Sequence, residues 1–83
     1  MPLYMDVHHR IADLTAEVAR LVHERDLAVQ HKYGVRYLRY WFDEAAGKVF
    51  CLVEAPSRDA AVAVHREAHG HVADEIFEVQ EGA

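Results

Sequence analysis

Hydrophobic and polar residues alternate at both ends of the chain and recur at helical spacing between them, so six segments can be read from the pattern. Leu3 to His8 alternates and predicts a first strand, with Asp6 and His8 on one face and Met5 and Val7 on the other. Residues 15–32 predict a helix, because Val18, Leu21, Val22 and Val29 recur at helical spacing. Thr15 supplies an N-cap, and Gly34 follows the last turn, where a left-handed residue often ends a helix. Residues 35–42 are β-branched and aromatic and predict a second strand. Residues 43–48, with Gly47 near their end, suit a hairpin connection. Residues 49–55 form a third strand without clean alternation, which predicts burial on both faces. Ser57 then caps a second helix, with Asp59 in its first turn and Gly70 marking its end. Residues 76–80 alternate again and close as a fourth strand.

The order βαββαβ predicts one α+β domain over residues 1–83. It is ferredoxin-like, an antiparallel sheet with both helices on one face. Right-handed crossovers place the second helix over the first and fourth strands.

Composition sharpens this picture. Of 83 residues, 52% are apolar and eight are aromatic, more than a domain of this size needs for its own core. The surplus predicts a second buried surface, most simply in a homodimer. The net charge of −5 and the lack of a basic cluster argue against a nucleic-acid partner. No run approaches the ~20 apolar residues of a membrane-spanning helix, and the first residues lack the pattern of a signal peptide. Cys51 is the one cysteine, so no internal disulfide forms. These features predict a cytoplasmic protein, where thiols stay reduced.

The chemistry is concentrated in seven histidines. Three lie in His65-Arg66-Glu67-Ala68-His69-Gly70-His71, at the end of the second helix. His65 and His69 are four residues apart and project together, the geometry in which two imidazoles share one metal ion. Imidazole suits nickel, zinc, copper and iron. On a helical projection Ala61, Val64, Ala68 and, if the helix persists, Val72 form the buried stripe. His65 and His69 then lie along one edge and His71 near the other. The zinc-protease pattern H-E-x-x-H is not met, since Arg66 follows His65 and Glu67 points away. A second group is Asp6, His8 and His9. Asp6 and His8 can act as a ligand with its orienting carboxylate, or as a general base. If Met5 and Val7 face the helices, Asp6 and His8 lie on the open side, away from His65 and His69. A shared site then requires the opposite facing, a twisted strand end, or a ligand from a second subunit. Cys51 is a further candidate ligand, although a buried thiol mostly packs as a small apolar group. His31 suits the end of the first helix as a cation or donor.

The strings Lys32-Tyr33-Gly34-Val35-Arg36-Tyr37-Leu38-Arg39-Tyr40-Trp41, Val49-Phe50-Cys51-Leu52-Val53-Glu54-Ala55-Pro56 and Val64-His65-Arg66-Glu67-Ala68-His69-Gly70 add to this. With Met5-Asp6-Val7-His8 and Ala73-Asp74-Glu75-Ile76, they resemble a family of small bacterial nickel-binding proteins. The resemblance covers nearly the whole chain. It implies a ferredoxin-like homodimer that binds nickel at its surface and serves in nickel sequestration or tolerance. Within the matching strings it points to His8, His65 and His69, with Asp6 and Cys51 as lesser members. His71 and His9 lie just beyond them, as ligands this chain has gained. The chain departs from the pattern after His8, where His9-Arg10-Ile11 replaces a turn more like Pro-Gly. The expected metal is nickel, with zinc or copper as alternatives. The competing expectation is a cofactor-independent oxygenase or isomerase with a pocket over the open sheet face, using Asp6 and His8, or Cys51. That reading rests on the fold alone.

Overall fold

A computed structural model describes residues 1–82. Six main elements follow in the expected order: β1 (Leu3–His8), α1 (Ala16–Val29), β2 (Arg36–Asp43), β3 (Lys48–Glu54), α2 (Arg58–Ala68) and β4 (Glu75–Val79). The sheet order is β2-β3-β1-β4, every pair antiparallel, which is the ferredoxin-like arrangement.

Both helix starts follow their caps. Thr15 Oγ1 accepts from the Val18 amide and Ser57 Oγ from the Ala60 amide, each at 3.1 Å. The ends are less regular. α1 tightens into a 3₁₀ turn over Gln30–Tyr33, and Gly34 closes it at φ 66°. The single helix expected over 15–32 is therefore two pieces. α2 stops at Ala68, and Gly70, at φ 80°, returns its amide to the His65 carbonyl at 2.9 Å. Val72 thus lies beyond the helix and is exposed, not on its buried stripe.

Strand register decides which residues meet the helices. Tyr4, Asp6 and His8 stand opposite Val53, Cys51 and Val49 of β3. All six are buried beneath the helices. Asp6 and His8 therefore face inward, and Met5 lies on the open side, the reverse of the polar-outward assumption. β3 alternates too: Val49, Cys51 and Val53 are buried, whereas Phe50 and Leu52 are only half-buried on the other face. The expected burial of β3 on both faces is not met, because no helix covers the second one. In β2 a register shift between Tyr37 and Arg39 lets Tyr37 and Tyr40 both sit opposite inward residues, Val53 and Cys51.

The apolar core between sheet and helices is built from Leu14, Ala19, Val35, Val53, Ala55, Ala61 and Val64. On the open face Met5 pairs with Leu52 and Phe77, and Trp41 with Phe50. Trp41 and Phe77 are 47% and 48% exposed there. Among the described residues no helix is long and apolar enough to cross a membrane.

Candidate metal centre

His65 sits one turn after Ala61 and beside Val64, so the face of α2 that packs on the sheet carries it into the interior. It is 1% exposed and belongs to the core rather than to the edge of the stripe. Both ring nitrogens meet carboxylates. Nδ1 is 2.8 Å from Asp26 Oδ1 on α1, and Nε2 is 2.9 Å from Asp6 Oδ2 on β1. His8 Nε2 lies 3.3 Å from His65 Nε2 and 3.2 Å from Asp6 Oδ1. The Tyr37 ring packs against His65 at 4.6 Å between centroids. Its hydroxyl reaches both Asp6 Oδ2, at 3.2 Å, and the Ala61 carbonyl, at 3.1 Å.

His69 enters the same network one turn further on. Its Nδ1 accepts the His71 amide at 3.1 Å, so its proton sits on Nε2, which points at Asp26 Oδ1, 3.0 Å away. Asp26 thus holds two imidazoles with one oxygen.

The electrostatics follow from this packing. Burial alone pulls the His65 imidazole down, but hydrogen bonds to Asp26 and Asp6 outweigh it and hold its pKa up at about 9. Burial pushes the Asp6 carboxyl up, yet the hydrogen bond from His65 and the close approach of the His8 imidazole bring it far below the usual carboxylate range. Asp26 is likewise lowered: hydrogen bonds from His65 and His69 overcome its burial. Burial, then the charges of Asp6 and Asp26, push the Cys51 thiol well up, so it stays protonated and is a poor nucleophile.

Two overlapping groups have the composition of a metal site. Ligand atoms of Asp6, His8, Cys51 and His65 lie within 4.8 Å of one another, as do those of Asp26, His65 and His69. The first set combines carboxylate, imidazole and thiol donors, which suits a divalent transition metal. Asp6 Oδ1 is buried with no hydrogen-bond partner, because His8 Nε2 approaches it without hydrogen-bond alignment. That orphaned oxygen is the kind of acceptor a cation satisfies. A cavity of about 40 Å³ adjoins the group, with His8, Cys51, His65, His69 and His71 in its wall. It exceeds the ~10–15 Å³ that one water requires. The cavity lies on the helix side of the sheet, whereas the hollows of the open face are lined by residues such as Met5, Leu52 and Trp41 and contain none of Asp6, His8 or Cys51.

The expected residues divide clearly. Asp6, His8, Cys51 and His65 come together in one buried group, and His69 joins through Asp26. The two strings thus meet within one chain, and below the surface. His71 is exposed, its ring 5.5 Å from that of His69. His9 turns instead to Glu75 Oε2, at 2.5 Å, and its amide donates to Asp74. Glu67 faces away and bonds Lys32 and Tyr33. Sequence reasoning missed Asp26 and Tyr37. Asp26 left a signal: with Ala19, Val22 and Val29 it falls on the inward stripe of α1, where a carboxylate is out of place unless paired.

Comparison with known proteins follows the same lines. Residues 4–79 match the profile of the family described as nickel responsive protein SCO4226-like. The chain resembles the crystal structure of SCO4226 from Streptomyces coelicolor A3(2), with a TM-score of 0.91 and 41% identity over 98% of this chain and 99% of that one. No functionally curated protein matches. The chain belongs to the nickel-responsive SCO4226-like family.

Proposed function

We propose that this member of a nickel-responsive family binds nickel in the buried group of Asp6, His8, Cys51 and His65, and so sequesters the ion in the cytoplasm. The observation that carries the reading is the convergence of those four side chains, with ligand atoms within 4.8 Å of one another, on two strands and a helix. Charge supports it. Two carboxyls held low, Asp6 and Asp26, flank the one imidazole held high, His65, so the interior gathers acceptors that favour a cation. A divalent cation that displaces the His65 proton sets its charge against both carboxylates, and coordination by Cys51 requires it to displace the thiol proton as well. Asp26 orients His65 from the far side and ties in His69, as outer-shell carboxylates do for metal-bound imidazoles. Nitrogen-rich sites rank nickel above cobalt and iron, and copper higher still, so selectivity falls to geometry and metal supply. The apolar open face of the sheet supports a homodimer, since Trp41 and Phe77 are half-exposed in the single chain.

Calorimetric titration of the untagged, metal-free protein with nickel, zinc, cobalt and copper tests this. Wild type is expected to bind nickel tightly. His8→Ala and Cys51→Ser, both folded by circular dichroism, are expected to bind it at least about tenfold more weakly. Nickel binding indifferent to both changes would refute the assignment.

A further inference from the structure

The cavity of about 40 Å³ lies between α1 and the sheet. Six of its lining residues, Ile11, Leu14, Val18, Val22, Val49 and Cys51, present aliphatic groups or a thiol. The rest of the wall is imidazole, but its polar atoms are turned elsewhere. Both nitrogens of His65 meet carboxylates, Asp26 and Asp6. Those of His69 meet the His71 amide and Asp26. These two rings therefore offer the cavity only their carbon edges. A trapped water needs about two to four polar partners, and this wall is poor in them. An apolar guest gains dispersion contacts there without giving up hydrogen bonds to water. Volume limits its size. The cavity is roughly three times the ~10–15 Å³ that one water requires, and well under the ~150 Å³ of an apolar cavity that takes benzene.

We propose that this cavity binds a small, uncharged, apolar molecule of the size of dioxygen. His8, Cys51 and His65 line the same cavity, so the guest lies against the group assigned to nickel. Such a molecule needs no polar route inward, because it holds no hydration shell that donors must replace. Ile11, Val18 and Val22 are half-buried and form the wall nearest solvent, while Leu14, Val49 and Cys51 are buried behind them. Contact with these aliphatic groups holds the guest, and Cys51 contributes a thiol that is only a weak hydrogen-bond donor.

The inference goes beyond the nickel reading and stands without it, so the metal-free protein is used. Crystals are pressurised with xenon, a probe of the same apolar class. In solution, methyl relaxation is measured under raised pressure of dioxygen, whose unpaired electrons relax nearby nuclei. The expected result is a xenon peak in contact with Val22, Val49 and Cys51. Dioxygen is expected to relax the Val49 methyls more than those of Leu21 and Leu27, which are exposed on α1. Val22→Phe and Val18→Phe each place a ring in the cavity and are expected to lose both signals. Leu21→Phe, outside the cavity, is expected to keep them. An ordered water in place of xenon, or xenon only on the open face beside Met5 and Leu52, would overturn the proposal. So would signals that survive both ring substitutions. A xenon peak without dioxygen relaxation in solution would mean binding at crystal concentration only, and would overturn it too.

Discussion

The two faces of the sheet are built the wrong way round for a simple soluble domain. The face under the helices carries Asp6, His8, Cys51 and Tyr37, joined there by Asp26 and His65 from the helices above. The open face carries Met5, Trp41, Phe50, Leu52 and Phe77. Polar groups are sealed in, and large apolar groups are left out. A buried acid–imidazole network is costly to desolvate and is weak evidence for stability. The buried polar group fills core volume that apolar side chains would otherwise occupy, while the apolar open face is suited to a second copy of the chain.

The contrast is broken most severely from the inside. Asp26→Ala leaves His65 and His69 without their shared acceptor, and is expected to cost about 3–5 kcal/mol in urea denaturation of the metal-free protein, as for loss of one partner of a buried pair. The triple change Asp6→Leu, Asp26→Leu and His65→Leu removes both carboxylates and the imidazole between them. It is expected to be neutral or stabilising by about 1–4 kcal/mol while abolishing nickel binding. A triple variant as unstable as Asp26→Ala would mean that the network holds the fold together.

pH acts on the same network. The folded pKa of His65, about 9, lies above its ordinary 6.5, so the stability it contributes is full below pH 6.5 and is lost as pH rises to 9. The carboxyls of Asp6 and Asp26 are lowered from 3.8, so their contribution is full above that value and fades as pH falls below it. Metal-free stability is therefore expected to plateau between about pH 4 and 6.5 and to decline on either side. Nickel affinity runs the other way on the alkaline side. The ion competes with the His65 proton, so binding is expected to strengthen as pH rises from 6.5 to 9, measured by calorimetry across that range.

From the outside the effects on the fold are smaller. Trp41→Ser and Phe77→Ser alter half-exposed side chains, and are expected to change the stability of the single chain by about 1 kcal/mol or less. Both are expected to weaken the proposed homodimer, read in sedimentation as a shift toward monomer. Smallest of all, Arg10 holds φ 56° in the loop after β1, where a Pro-Gly-like turn was expected. Arg10→Gly is expected to raise stability by roughly 0.5–1 kcal/mol, because only glycine takes that conformation without steric cost.

Much of this was legible in the sequence. Both N-caps, the hairpin glycine and the alternation of β1 follow from local chemistry, and they were enough for the order βαββαβ. The facing of β1 was not, because alternation defines two faces without saying which is covered. The usual rule, apolar inward, points to Met5 and Val7 and fails because the partners that make Asp6 and His8 tolerable inside come from residues 37 and 65. The His65–His69 pair was visible from its spacing, but its depth was not, since a projection gives angle and not cover. Cys51 seemed isolated along the chain, and only the register opposite Asp6 brings it to the site. Asp26 was readable in principle, as one carboxylate in an otherwise apolar stripe.

The most direct test is a crystal of the nickel-loaded protein measured at the nickel absorption edge. The expected result is an anomalous peak within bonding distance of Asp6, His8 and His65, on the helix side of the sheet. A peak only at exposed histidines such as His31 or His71, with the His65–Asp6 and His65–Asp26 contacts intact, would contradict it.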